Sequence, residues 1–117
     1  MNVRIYLVLK VMTNKSIKMI CHNDVENTLP NFLAHSTSSL ITQTTNYLKD
    51  YYNLVYQWLD IRHVSTTIID GELAIFYSSF VPLGFINENT IKYINQTSDL
   101  PFEIVQEIQS SLRLYPY

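Results

Sequence analysis

The stretch from Leu29 to Leu54, LPNFLAHSTSSLITQTTNYLKDYYNL, constrains the fold more than any other part of the chain. It reads as a loop entering one amphipathic helix. Pro30 biases Leu29 toward extended geometry, so a strand or its exit is expected to end there. Ser36, Thr37 and Ser38 offer hydroxyls to cap the first free backbone N–H groups of a helix. Leu40, Thr44, Leu48 and Tyr51 or Tyr52 then recur at helical spacing, with Ile41 and Tyr47 widening the stripe, so one face is built to pack on a sheet. Thr42, Gln43, Thr45, Asn46, Lys49 and Asp50 form the opposite, polar face. Asn53 tolerates left-handed geometry at a helix end, and Leu54 can fold back onto the last turn.

The segments on either side supply the sheet. Residues 2–12 form an apolar run expected to be a long strand, with a turn at Thr13-Asn14-Lys15 and a hairpin partner from Ile17 to Cys21. His22 to Thr28 is polar and reads as a surface loop. After the helix, Val55 to Ile61 has strand composition, and Val64 to Ile69 either continues that strand or forms another. Asp70-Gly71 is a strong two-residue hairpin signal before the run Glu72 to Val81. In that run Leu73, Ile75, Tyr77 and Ser79 share one side, and Ala74, Phe76 and Phe80 the other, as in a strand covered on both faces. Pro82 to Asn89 is a loop, and Thr90 to Ile94 is a short helix or a strand. Asp99 can cap a last helix that Pro101 opens and that runs to about Leu114, with Ile104, Val105, Ile108 and Leu112 on one face.

This pattern predicts a single α+β domain over residues 1–117, with a mixed sheet between helices in an α/β/α sandwich. Charged residues make up only 15% and apolar residues 47% of the chain, a composition that favours a packed core over disorder. With a formal charge of −2 and no basic run, generic binding to a nucleic-acid backbone is not expected. Cys21 stands alone, so there is no internal disulfide to form. The opening MNVRIYLVLKVM carries Arg4 and Lys10 and is too short to cross a membrane. It also has no small-residue cleavage site, and cytoplasmic residence is the expectation.

The frame of the central stretch resembles the Nudix box. In that family a Leu-Pro precedes Gly, five residues, Glu, seven residues, Arg-Glu, an apolar residue, any residue, Glu-Glu, any residue, Gly and an apolar residue. Laid on this chain without a gap, the frame matches at Leu29, Pro30, Leu48 and Leu54, with Asn53 in place of the second Gly. Phe32 stands at the first Gly, Ser38 at the first Glu, Asn46 at the Arg, Tyr47 at the Glu beside it, and Asp50 and Tyr51 at the Glu pair. The resemblance implies a Nudix-like mixed sheet flanked by the box helix and a C-terminal helix. It also implies that active members gather magnesium or manganese on several carboxylates of this helix. Here only Asp50 keeps one, and magnesium wants hard, charged oxygen ligands.

The expected function is therefore a non-catalytic binding or protein-interaction module with a degenerate Nudix box. It would recognise a nucleotide-containing ligand, a partner protein or its own copy, with no catalytic residue and no cofactor. Its candidate ligand-binding positions are Phe32, Ser38, Asn46, Tyr47, Asp50 and Tyr51. The alternative is a divergent hydrolase of nucleoside diphosphate-linked compounds, with magnesium or manganese held by Asp50 and by Glu72 or Asp60. Phe32 either reshapes the mouth of the cleft or docks into the core. Tyr47, Tyr51, Tyr52 and Tyr56 either stack on a base or sugar or pack at the edge of the core. His22, His35 and His63 match no short metal motif. Asp60, Arg62 and His63 are either ligand contacts or an ordinary exposed ion pair.

Overall fold

The structure is a computed structural model, and it describes residues 1–12, 17–22, 28–54, 60–82, 84, 91–94, 100, 102 and 105–106. The sheet is built outward from β1, Val3–Met12. One edge of β1 is shared by two short antiparallel partners. Its second half pairs with β2, Ile17–Met19, and its first half with β3, Asn31–Leu33. The other edge runs parallel to β5, Glu72–Phe80, from Val3 against Leu73 to Lys10 against Phe80. β4, Arg62–Ile69, completes the order β2-β1-β5-β4 as an antiparallel partner of β5.

Local chemistry sets these elements. Asp70 and Gly71 both take positive φ, 51° and 78°, as a two-residue hairpin turn matching the twist of β4 and β5 requires. Helix α1, Leu40–Tyr52, ends where Asn53 turns left-handed at φ 54° and ψ 35°. That turn lets the Asn53 and Leu54 N–H groups donate back to Lys49 and Leu48 carbonyls, and Leu54 folds into the core as expected.

Side-chain alternation along β1 divides the core in two. Ile5, Leu7, Leu9 and Val11 face α1 and meet Leu48, Tyr52 and Leu54. Val8 faces the other way, with Met19, Ala74 and Phe76 beside it. Tyr6 stacks on Phe76 on that side, and Ile94 and Leu100 pack against the same cluster. β1 and β5 are thus covered on both faces, which explains why neither alternates cleanly in sequence.

Several expectations change. Residues 31–33 are not loop but β3, because the first half of β1 offers an open edge that Asn31–Leu33 pairs with, and the Leu7 N–H donates to the Pro30 carbonyl just before it. The helix cap is Ser39, one residue beyond the three hydroxyls expected, and its Oγ accepts from the Thr42 N–H at 3.2 Å. Ile41 lies on the exposed side of α1, and of the two tyrosines at the end of the stripe it is Tyr52 that is buried. β4 begins at Arg62, two residues earlier than read. Residues 91–94 are extended beside β2: Tyr93 bridges Ile20, and the Cys21 and Ile94 N–H groups bond across that pair. The strand expected over Val55–Ile61 and the last helix fall almost wholly outside the described residues, where Phe102, Val105 and Gln106 are helical.

Tyr6 yields a test of the second face. Burial pushes its phenol above the ordinary value of 10.0, with Arg4 opposing and Glu72 and Asp70 reinforcing. A raised folded-state value means that the folded chain holds the proton more tightly than the unfolded chain. The contribution is complete below about pH 10 and is lost as pH climbs through the higher folded value. Tyr6→Phe should therefore lose less stability than wild type between pH 9 and 11, measured by urea midpoints. Equal losses would place Tyr6 in solvent.

Candidate functional site

The box positions lie on β3, on the turn after it and along α1. Phe32 is opposite Ile5 in the ladder, so its ring emerges on the α1 side and is half-buried against the core cluster there. Tyr47 stacks on it with ring centroids 4.8 Å apart and planes at 29°. Tyr51, one turn further along α1, lies 4.8 Å from Tyr47 at 34°. Tyr47 also meets buried Tyr52 at 5.9 Å. The result is a ladder of rings that starts in the core and ends at Tyr51, 62% exposed. Phe32 both docks on the core and carries the first ring of this ladder, and spacings of this kind are ordinary offset aromatic contacts.

The polar box positions do not join it. Ser38, Asn46 and Asp50 are exposed, and Ser38 engages α1 only through its backbone carbonyl. That carbonyl belongs to an arrangement hidden from the sequence. Gln43 sits on the nominally polar face yet is only 6% exposed. Its Oε1 accepts from the His35 N–H at 2.9 Å, and its Nε2 donates to the His35 and Ser38 carbonyls at 2.7 and 2.9 Å. One side chain thereby fastens the turn that enters the helix, at the place where the resemblance implies a glycine-led loop. A primary amide has donors and acceptor enough for this, but nothing in the spacing marks Gln43 out from Gln or Asn elsewhere.

The two carboxylates offered to a metal alongside Asp50 have other partners. Glu72 Oε1 accepts from Arg4 Nε at 3.0 Å, and Arg4 Nη1 also donates to Asn31 Oδ1 at 2.9 Å, tying β5, β1 and β3 together. Asp60 holds Arg62 at 2.7 Å in a largely exposed pair, the plainer of the two readings of those residues. Among the described residues, no three His, Cys, Asp or Glu side chains converge to hold a metal ion. Magnesium or manganese needs several anionic oxygens in one place. The described residues, with two tyrosine rings at box carboxylate positions and Glu72 engaged by Arg4, do not fit such a site.

One further polar group went unread in the sequence. A bulge interrupts the β4 ladder between His63 and Ser65. Beyond it His63 Nε2 lies 2.8 Å from Thr66 Oγ1, and the His63 ring meets Tyr77 edge-on at 6.0 Å. Sequence reading singled out His63 but not its partners, because the bulge alone brings them to one side.

No protein-family model matches the chain, and no curated protein matches it. Solved structures do. The chain superposes on the Ap4A hydrolase of C. elegans with a TM-score of 0.61 at 13% identity, covering 96% of this chain and 93% of that one. The NUDIX domain of Shewanella oneidensis NrtR complexed with ADP ribose gives 0.60 at 16% identity, over 97% and 88%. The C-terminal domain of mouse MUTYH, in complex with human PCNA, gives 0.61 at 8% identity, over 97% and 90%. The chain therefore has a Nudix-like fold, a mixed five-stranded sheet with a helix packed on it. Identities this low speak to fold and not to activity. Among the described residues, no helix is long and apolar enough to cross a membrane.

Proposed function

We propose that this chain is a Nudix-like binding module that holds a nucleotide-containing ligand without hydrolysing it. The observation that carries the proposal is the ring ladder Phe32–Tyr47–Tyr51, which occupies box positions where the family resemblance implies glycine and metal-binding carboxylates. Rings cannot neutralise a diphosphate or activate a water through a metal. They can stack on a base, and the exposed face of Tyr51 ends the ladder at the surface. The NrtR domain complexed with ADP ribose supports a nucleotide as the class of ligand. A protein partner is the second reading, supported by the same exposed ring and by the MUTYH domain in complex with PCNA.

The test is titration calorimetry with ADP ribose alongside a turnover assay, with and without manganese or magnesium. Stacking on one ring is worth about 1–3 kcal/mol, so Tyr51→Ala should weaken binding by about 5- to 150-fold. Neither wild type nor Asp50→Ala should release product. Metal-dependent turnover that vanishes in Asp50→Ala would overturn the proposal in favour of the hydrolase. Absence of binding to ADP ribose, dinucleotides and nucleoside triphosphates alike would leave the protein-partner reading in its place.

A further inference from the structure

The ring ladder ends in a region of negative potential, and that decides which kind of ring it holds best. Asp50 follows Tyr47 by three positions and Tyr51 by four, so helical spacing puts all three on one side of α1. The Asp50 carboxylate therefore stands beside the exposed end of the ladder without joining its stack. Tyr51 lies in the last turn of α1, where the partial negative charge of the helix dipole gathers. The faces of the rings are themselves negative, because the π electrons lie above and below the ring plane. Three sources of one sign meet at Tyr51.

The cations nearby are placed or engaged elsewhere. Lys49, the one cation of α1, is two positions from either ring and so projects from another side of the helix. Arg4 holds Glu72 and Arg62 holds Asp60, and among the described residues no ion pair engages Asp50. With a formal charge of −2, the chain as a whole supplies no compensating positive field. Phosphate groups are repelled from this end of the helix. A positive charge spread over a flat ring gains from both the stack and the carboxylate, whereas a neutral base gains from the stack alone.

Resting on the nucleotide reading of this site, we propose that the ring stacked on Tyr51 is a cationic heteroaromatic one, a ring-methylated purine or a pyridinium, with its phosphates directed away from the end of α1. Tyr51 supplies the π face and Asp50 the balancing charge. The single carboxylate at the box positions then recognises a cation that belongs to the ligand.

The experiment is a calorimetric titration of the full chain at neutral pH with three nucleosides. In 1-methyladenosine the ring is positively charged, in adenosine it is neutral, and N6-methyladenosine carries the same methyl group on a neutral ring. A second arm compares nicotinamide mononucleotide with its reduced form, whose ring is uncharged. A cation over one exposed ring gains about two- to fivefold in affinity and the carboxylate adds to it, so the charged ring of at least one set should bind about fivefold more tightly. High salt should shrink that ratio. Tyr51→Leu, which keeps apolar bulk without a π face, should lose most of the preference. Asp50→Asn should lower it while neutral rings bind as before. Equal affinity for charged and neutral rings, or a preference that survives both substitutions, would overturn the inference. A preference in the nicotinamide arm alone would support it and name the pyridinium as the ring. The underlying reading fails separately: ADP ribose and neutral nucleosides bound through Tyr51 with no charge preference would remove only this inference, whereas no binding by any of these compounds would remove both.

Discussion

Leu48→Ala lowers the stability of this chain by about 2–5 kcal/mol, the range for emptying a well-packed leucine site. Leu48 is fully buried, at the centre of the face that α1 lays on β1, among Ile5, Leu7, Leu9 and Ile20. Its neighbours in that cluster come from β1, from the end of α1 and from the segments that carry Ile20, Leu54 and Val81, so the site cannot close by moving a single side chain. Cutting the isobutyl side chain back to a methyl loses both transfer energy and packing. Typical domains are stable by only about 5–15 kcal/mol, so the change consumes a large share of the total. Urea unfolding should show a lower midpoint at an unchanged slope. A loss below about 1 kcal/mol would mean that α1 does not rest on β1 as described.

Leu48 also shows what was legible in the chain before its structure. Helical spacing and the Asn53-Leu54 stop identified the helix, and Asp70-Gly71 identified the hairpin, because each depends on backbone chemistry within a few residues. The double-sided burial of β5 was legible as well, from apolar residues at both parities. What escaped was set by partners distant in sequence. Asn31–Leu33 has no strand signal of its own, and it becomes β3 only because β1 presents an edge 27 residues upstream of Asn31, where Arg4 also reaches its side chain. The choice between helix and strand at residues 91–94 was likewise settled by Ile20.

The site divides along the same line. Which residues stand at the box positions could be read off directly, but not what they do. Phe32, Tyr47 and Tyr51 come together through a strand that the sequence did not reveal, while Ser38, Asn46 and Asp50, equally eligible by position, remain on the surface. His63 gained its partners from a bulge, an irregularity of pairing that leaves no mark in one strand alone.

Gln43 was misplaced most clearly, and its replacement has the second large effect. Gln43→Leu should destabilise the chain by about 1–3 kcal/mol, since three hydrogen bonds to His35 and Ser38 disappear and their backbone groups must turn to water. Gln43→Glu is the sharper variant. It keeps an acceptor for the His35 N–H but aims carboxylate oxygen at two carbonyls, in a position only 6% exposed. Burial and those carbonyls both disfavour the charged form, so the new carboxyl has a raised folded-state pKa. The sign then follows. The folded chain binds that proton more tightly than the unfolded one, so the variant is less stable at pH 7 than at acid pH. Relative to wild type it should recover as pH falls through the raised value and come closest near the ordinary glutamate range of about 4.3. Urea midpoints for wild type and both substitutions between pH 4 and 8 measure this directly. A pH-independent deficit in Gln43→Glu would show that residue 43 faces solvent and that the turn before α1 is held by something else.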